Sequence, residues 1–255
     1  MLDALFSSLM SVADPAALLF AGAVLFVAYA IFGLTGFGSS VTAIPFLIQV
    51  FPLHVCVTIM LLFDLVACSL LNLRDARLAS KVELKRILPG LLLGAILGIF
   101  LSLHAPKKPL FLLLGVFVIV MVIWNNFFSH REYRVKPIFA FPLSFLGGAF
   151  TTLFGTGGPM YTVYLLGRVD DKRTFRSTMG ALIGTTSVIR FILFFLAGFL
   201  SSVSTFVLAA VLFPSVLAGF WLGSAMNRRA STALVKKMVW GILLIGGVSA
   251  LIKGL

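Results

Sequence analysis

Charged side chains are scarce in this sequence. Asp, Glu, Lys and Arg together make up 11% of its 255 residues, and only 8 of these are acids. A typical soluble domain carries about 25% charged residues, so this chain cannot cover a water-facing surface. Cysteine is nearly absent: Cys56 and Cys68 fall on one predicted helix. Their separation of 12 positions places them about 18 Å apart along its axis. That excludes a disulfide within the helix, and the spacing is not that of a metal pair. The three histidines, His54, His104 and His130, are scattered near segment ends as interfacial polar residues, so no metal site is expected. There is no paired-carboxylate motif and no Gly-x-Ser-x-Gly nucleophile turn. Gly36-Phe37-Gly38 lacks the third glycine and the strand–turn–helix context of a dinucleotide site. These absences exclude the familiar catalytic constellations, and neither an enzyme nor a cofactor is expected. Asp3 and Asp14 precede the first apolar run with no basic residue, which is not the pattern of a cleaved secretion signal.

What the chain does have is apolar surface. Hydrophobic residues make up 60% of it, and the mean hydropathy is +1.13. No core of this size absorbs that much, so the solvent is lipid: the sequence predicts an all-α polytopic membrane protein. The formal charge is +12. No nucleic-acid motif interleaves the basic residues, so the charge reads as basic loops on one side of a bilayer and not as a nucleic-acid surface.

Ten apolar segments follow: about 15–34, 38–50, 53–72, 87–103, 109–128, 137–153, 158–166, 177–199, 205–226 and 237–252. Two of them, 38–50 and 158–166, are too short to cross about 30 Å of hydrocarbon. Each directly follows a glycine-rich turn, Gly33-Leu34-Thr35-Gly36-Phe37-Gly38-Ser39-Ser40 and Gly155-Thr156-Gly157-Gly158-Pro159. Glycine costs a helix roughly 1 kcal/mol against alanine. Dense glycines here predict broken or re-entrant helices, the pattern that lines sites in secondary transporters.

The turns are part of a duplication. Gly36 and Gly38 recur as Gly155 and Gly157 at an offset of 119. Pro89, Leu92, Gly94, Leu97 and Gly98 recur as Pro214, Leu217, Gly219, Leu222 and Gly223 at an offset of 125. The division expected is a first repeat over 1–128 and a second over 129–255, together one transport domain of about 8–10 transmembrane helices. Five segments per repeat, an odd number, would invert the second copy. The basic loops agree: 73–86, 129–136, 167–176 and 227–237 hold 16 of the 20 Lys and Arg. With ten crossings all four lie on the cytoplasmic side and both termini outside.

A few residues stand out against this background. Arg190 sits within segment 177–199, where a charge costs several kcal/mol unless it faces protein, water or a partner. Ser187 and Thr186 lie three and four positions earlier, on its face. It is either an anion ligand, half of an ion pair, or a side chain snorkelling outward. Asp64 is the only acid within an apolar segment. It pairs with Arg190, carries a coupling proton, or hydrogen-bonds another helix. The turns offer close backbone approach and partly positive helix N-termini. Gly36, Gly38, Ser39 and Ser40, with Gly155, Thr156, Gly157 and Gly158, are therefore the candidate anion nest, with Arg190 its cation. Pro45, Pro142 and Pro159 bend or start helices, and the 26 Phe pack or face lipid.

The sequence resembles the sulfite exporter TauE/SafE family of bacterial membrane permeases. The resemblance rests on Gly33-Leu-Thr-Gly-Phe-Gly-Ser-Ser-Val-Thr-Ala-Ile-Pro45, on Gly147-Gly148 with Gly155-Thr-Gly-Gly-Pro159, and on the basic loop between early helices. It implies a multi-pass protein of the bacterial inner membrane that carries sulfite or another organosulfur anion. Its partners would be that small anion and the lipid bilayer, with homodimerisation an option. The expected mechanism is alternating access with export favoured; an anion channel, or a carrier of another carboxylate or oxyanion, is the alternative.

Overall fold

The computed structural model describes residues 14–75, 78–128, 134–226 and 247–254. Every regular element among them is helical. In chain order they are α1 (Pro15–Thr35), α2 (Ser39–Leu47), α3 (Leu53–Asp75), α4 (Lys81–His104), α5 (Lys107–Phe128), a 3-10 turn (Pro137–Phe139), α6 (Ala140–Phe154), α7 (Gly158–Leu166), α8 (Lys172–Leu196) and α9 (Val203–Met226). Residues 247–254 are helical as well. Among the described residues, six helices are long and apolar enough to cross a membrane: α1, α3, α4, α8, α9, and the run from Pro137 through α6. Most of the expected segment 237–252, the basic stretch 227–237, most of 129–136 and His130 lie outside the described residues.

The two glycine turns break the chain where the sequence predicts. Gly36 ends α1 with φ 83°, and Gly38 precedes α2 with φ 94°. Gly155 ends α6 with φ 68°. A β-carbon in this left-handed region costs roughly 1–2 kcal/mol, so glycine reverses the chain there at least expense. The helices that follow have nine residues each, about 13 Å of axial rise.

Two helix starts differ from the hydropathy reading. α4 begins at Lys81 and α8 at Lys172, six and five residues before the expected apolar boundaries. Capping explains both. The Ser80 hydroxyl accepts from the Glu83 amide. Asp171 accepts from the Thr174 hydroxyl and amide, each at 2.7 Å. Those bonds hold the Asp171 carboxyl below its ordinary range, the hydroxyl contributing most. Lys81, Lys85, Arg86, Arg173 and Arg176 thus lie on the first two helical turns and not in loops.

Packing pairs helices from the two expected halves. α4 lies along α6, and α9 lies along α1; α3 crosses α8. Counting five segments per half, these are fourth-on-first, fourth-on-first and third-on-third. The offset-125 glycines are the contact surfaces of the first two pairs. A methyl group at Gly94 or Gly98 would strike the carbonyl of Phe145 or Ala149 in α6. One at Gly219 or Gly223 would strike the carbonyl of Phe26 or Ala30 in α1. Glycine allows these backbones to touch, the way helices associate where lipid removes the hydrophobic drive.

Candidate functional site

Both chain breaks open on one place. A small cavity there, with an empty volume of ≈ 370 Å³ including its mouth, is lined by Gly38 and Ser39 of the first turn, Gly155 and Gly158 of the second, and Asp64 and Arg190. Thr151, Tyr161, Thr186 and Ser187 add polar atoms, and Phe32, Val41 and Ile183 complete the wall. The N-termini of α2 and α7 begin at this wall. Neither has a side-chain cap, so each turns the positive end of its dipole toward the wall; at α7 Pro159 has no N–H, and the Met160 and Tyr161 amides donate to the Gly157 carbonyl at 3.1 and 3.4 Å.

α3 and α8 supply the charges. Arg190 is 1% exposed, which rules out snorkelling toward an interface. One terminal nitrogen donates to the Val57 carbonyl at 3.2 Å, and the guanidinium lies 5.5 Å from the Phe194 ring centroid. Among the described residues its Nε has no hydrogen-bond partner. Asp64 Oδ1 accepts from the Tyr29 hydroxyl at 2.8 Å and from Ser39 Oγ at 2.9 Å. Oδ2 accepts from Ser40 Oγ at 3.3 Å. Arg190 Nη1 stands 3.9 Å from Oδ2, beyond hydrogen-bond reach. The two charges face each other across the helix pair, as the sequence predicts, but the hydroxyls and not the arginine satisfy the carboxylate. An arginine with a fixed fork of five donors is left under-used in a dry setting.

Not every predicted residue reaches the wall. Gly38, Ser39, Gly155, Gly158, Asp64 and Arg190 do. Ser40 acts through Asp64 and packs on Gly155, where an added β-carbon would lie 2.5 Å from its Oγ. Gly36 shapes the turn behind the wall. Thr156 is fully buried, and its hydroxyl has no partner. Gly157 has an ordinary φ of −70°; its place is fixed by packing, since a β-carbon would strike Thr151 Oγ1 and the Gly147 carbonyl. Tyr29, Thr151 and Tyr161 were not singled out from sequence. For the two tyrosines the signal is rarity: the chain has 26 Phe and only 4 Tyr. A phenol in an apolar segment needs a partner. Here Tyr29 finds Asp64, and Tyr161 meets Thr151 at 3.2 Å. Cys56 and Cys68 are buried and free; Cys68 lies one turn beyond Asp64 on α3 and within its electrostatic reach. Among the described residues no three His, Cys, Asp or Glu are placed to hold a metal ion.

The family model "Sulfite exporter TauE/SafE" matches residues 21–250, both glycine turns and nearly the whole chain included. The chain belongs to this family. It is therefore a multi-pass membrane protein of a transporter family, and the TauE/SafE resemblance read from the turns is borne out. One curated relative is "Probable inner membrane transporter protein TsaS" of Comamonas testosteroni. It is 28% identical over 197 residues, covering 75% of this chain and 80% of the relative. No solved structure matches the chain.

Proposed function

We propose that this TauE/SafE protein is an inner-membrane permease for a small sulfur-containing anion, sulfite or an organosulfonate, bound between the two glycine turns. The observation that carries the reading is Arg190. It is a fully buried cation with an unpartnered Nε, set beside two uncapped helix N-termini. A buried donor without a partner costs roughly 1–3 kcal/mol. A tetrahedral or pyramidal oxyanion relieves that cost by accepting from the guanidinium fork and the opening amides of α2, with the positive end of the α7 dipole beside it. The family, and the membrane location printed for the TsaS relative, support the same reading.

The proposed mechanism is alternating access by two inverted halves, 1–128 and 129–255, rocking about the α3–α8 crossing. An anion crossing alone is favoured outward by an inside-negative potential, at about 2.3 kcal/mol per charge per 100 mV. Purified protein screened by thermal shift against sulfite, methanesulfonate, sulfate and acetate tests the site. Sulfite or the sulfonate should raise the melting temperature most. Flux into proteoliposomes should saturate with substrate, whereas flux that rises linearly would indicate an anion channel. A shift with acetate alone would move the substrate class to carboxylates.

A further inference from the structure

The cavity holds one cation and one anion, and an incoming substrate would be a second anion. Asp64 is 3% exposed and draws on the same donors that an oxyanion needs. Ser39 belongs to the α2 N-terminus at the wall, yet its hydroxyl is committed to Asp64 at 2.9 Å. Ser40 is committed likewise. The groups facing this carboxylate are few. They are Tyr29 from α1, Ser39 and Ser40 from α2, Cys68 on its own helix, and Arg190 from α8; Tyr161 of α7 shares the cavity. Arg190 is the one cation among them.

Two negative charges against one guanidinium, away from water, repel with little screening. Neutralising Asp64 removes the repulsion. A protonated carboxyl also frees the Ser39 and Ser40 hydroxyls from donating to it and gains a donor of its own. The geometry points to proton coupling: resting on the anion-site reading above, we infer that Asp64 takes up one proton for each anion bound at Arg190, and that the two cross together. A proton and not a metal cation is indicated, because Arg190 Nη1 already stands 3.9 Å from Oδ2 and would oppose a metal ion at the same carboxylate. Binding of each ligand then strengthens the other. A monovalent anion moved with one proton carries no net charge. The membrane potential drops out of its balance, and the pH gradient sets the direction.

The test uses the full chain in proteoliposomes with labelled methanesulfonate, whose single charge does not change with pH. Wild type should accumulate the anion on the alkaline side, approaching about tenfold per unit of pH difference for one proton per anion. A potassium diffusion potential set with valinomycin should leave that ratio unchanged. Asp64→Asn should reach only equal concentrations on the two sides, and Asp64→Glu should restore accumulation. If the Asn variant does not fold, the wild-type ratio still decides. Accumulation that follows the potential and ignores pH would overturn the inference while leaving the anion site standing. So would a strict sodium requirement, or pH-driven accumulation by Asp64→Asn. Wild type that neither binds nor moves any of sulfite, methanesulfonate, sulfate or acetate would overturn the site reading and this inference with it.

Discussion

At the scale of single residues, Arg190 carries the most information. Its fork is nearly dry, yet its contact to Asp64 is longer than a hydrogen bond and its Nε is unpartnered. As an anion ligand it should contribute one or two charge-assisted hydrogen bonds, roughly 1.5–3 kcal/mol. Arg190→Gln should therefore weaken sulfonate binding by about ten- to a hundredfold. Arg190→Lys should recover only part, because an ammonium lacks the planar fork. Isothermal titration against methanesulfonate, with melting temperature followed in parallel, separates the roles. If the melting temperature collapses, Asp64→Asn in the same chain restores it, and binding never depended on residue 190, then the arginine is only half of an ion pair. Both charges are legible in the sequence, because a charge in an apolar run is conspicuous. Tyr29 is marked only by the rarity of tyrosine, and Thr151 is not marked at all, because a Ser or Thr hydroxyl in such a run ordinarily bonds its own helix. Thr151 does so, donating to the Gly147 carbonyl at 2.6 Å while also meeting Tyr161.

At the scale of helices, glycine serves two separate purposes. In the turns it permits positive φ, and in α4 and α9 it permits contact between backbones. The second purpose makes a prediction about pairs. Gly94→Val should push α4 off α6, and Gly219→Val should push α9 off α1. Each overpacked seam should cost about 1–3 kcal/mol, read as a lowered melting temperature in detergent. Leu92→Val, on the exposed side of α4, should change little. Equal losses for Gly94→Val and Leu92→Val would refute the seams. The recurrence at offset 125 exposes these glycines in the sequence, but not which helix each one meets, since periodicity marks a face and not its partner. Helix starts were the poorer part of the reading. A hydropathy window stops at the first charge, whereas Ser80 and Asp171 cap helices whose opening turns are basic. The breaks are legible in the sequence, α7 with its bounds and α2 ending three positions short of the expected 50, because segments this short admit no spanning alternative.

At the scale of the whole molecule, the two short helices lead away from the cavity to two unlike fastenings. α7 ends at a charged one. Glu83 of α4 accepts from the Tyr164 hydroxyl at 2.5 Å, from Arg168 at 3.1 and 3.2 Å, and from Arg86 at 2.8 Å. α2 ends at a lighter one. Lys253 donates to the Ile48 carbonyl at the α2 C-cap and lies 5.8 Å from the Phe111 ring centroid. Gln49 donates to Ser249 Oγ at 2.8 Å. Under the inverted-repeat proposal these fastenings close opposite ends of one pathway, and alternating access requires each to release while the other holds. The two should then be separable. Glu83→Gln removes the charge that gathers Arg168 and Arg86; both arginines are partly solvated, so the loss is about 1–2 kcal/mol. Amide hydrogen exchange over 158–166 should speed up by roughly five- to thirtyfold, with 39–47 unchanged. Lys253→Met should do the reverse, loosening 39–47 and leaving 158–166 as it was. If either substitution accelerates both short helices equally, the molecule opens as one unit, and the two ends cannot act as alternating gates.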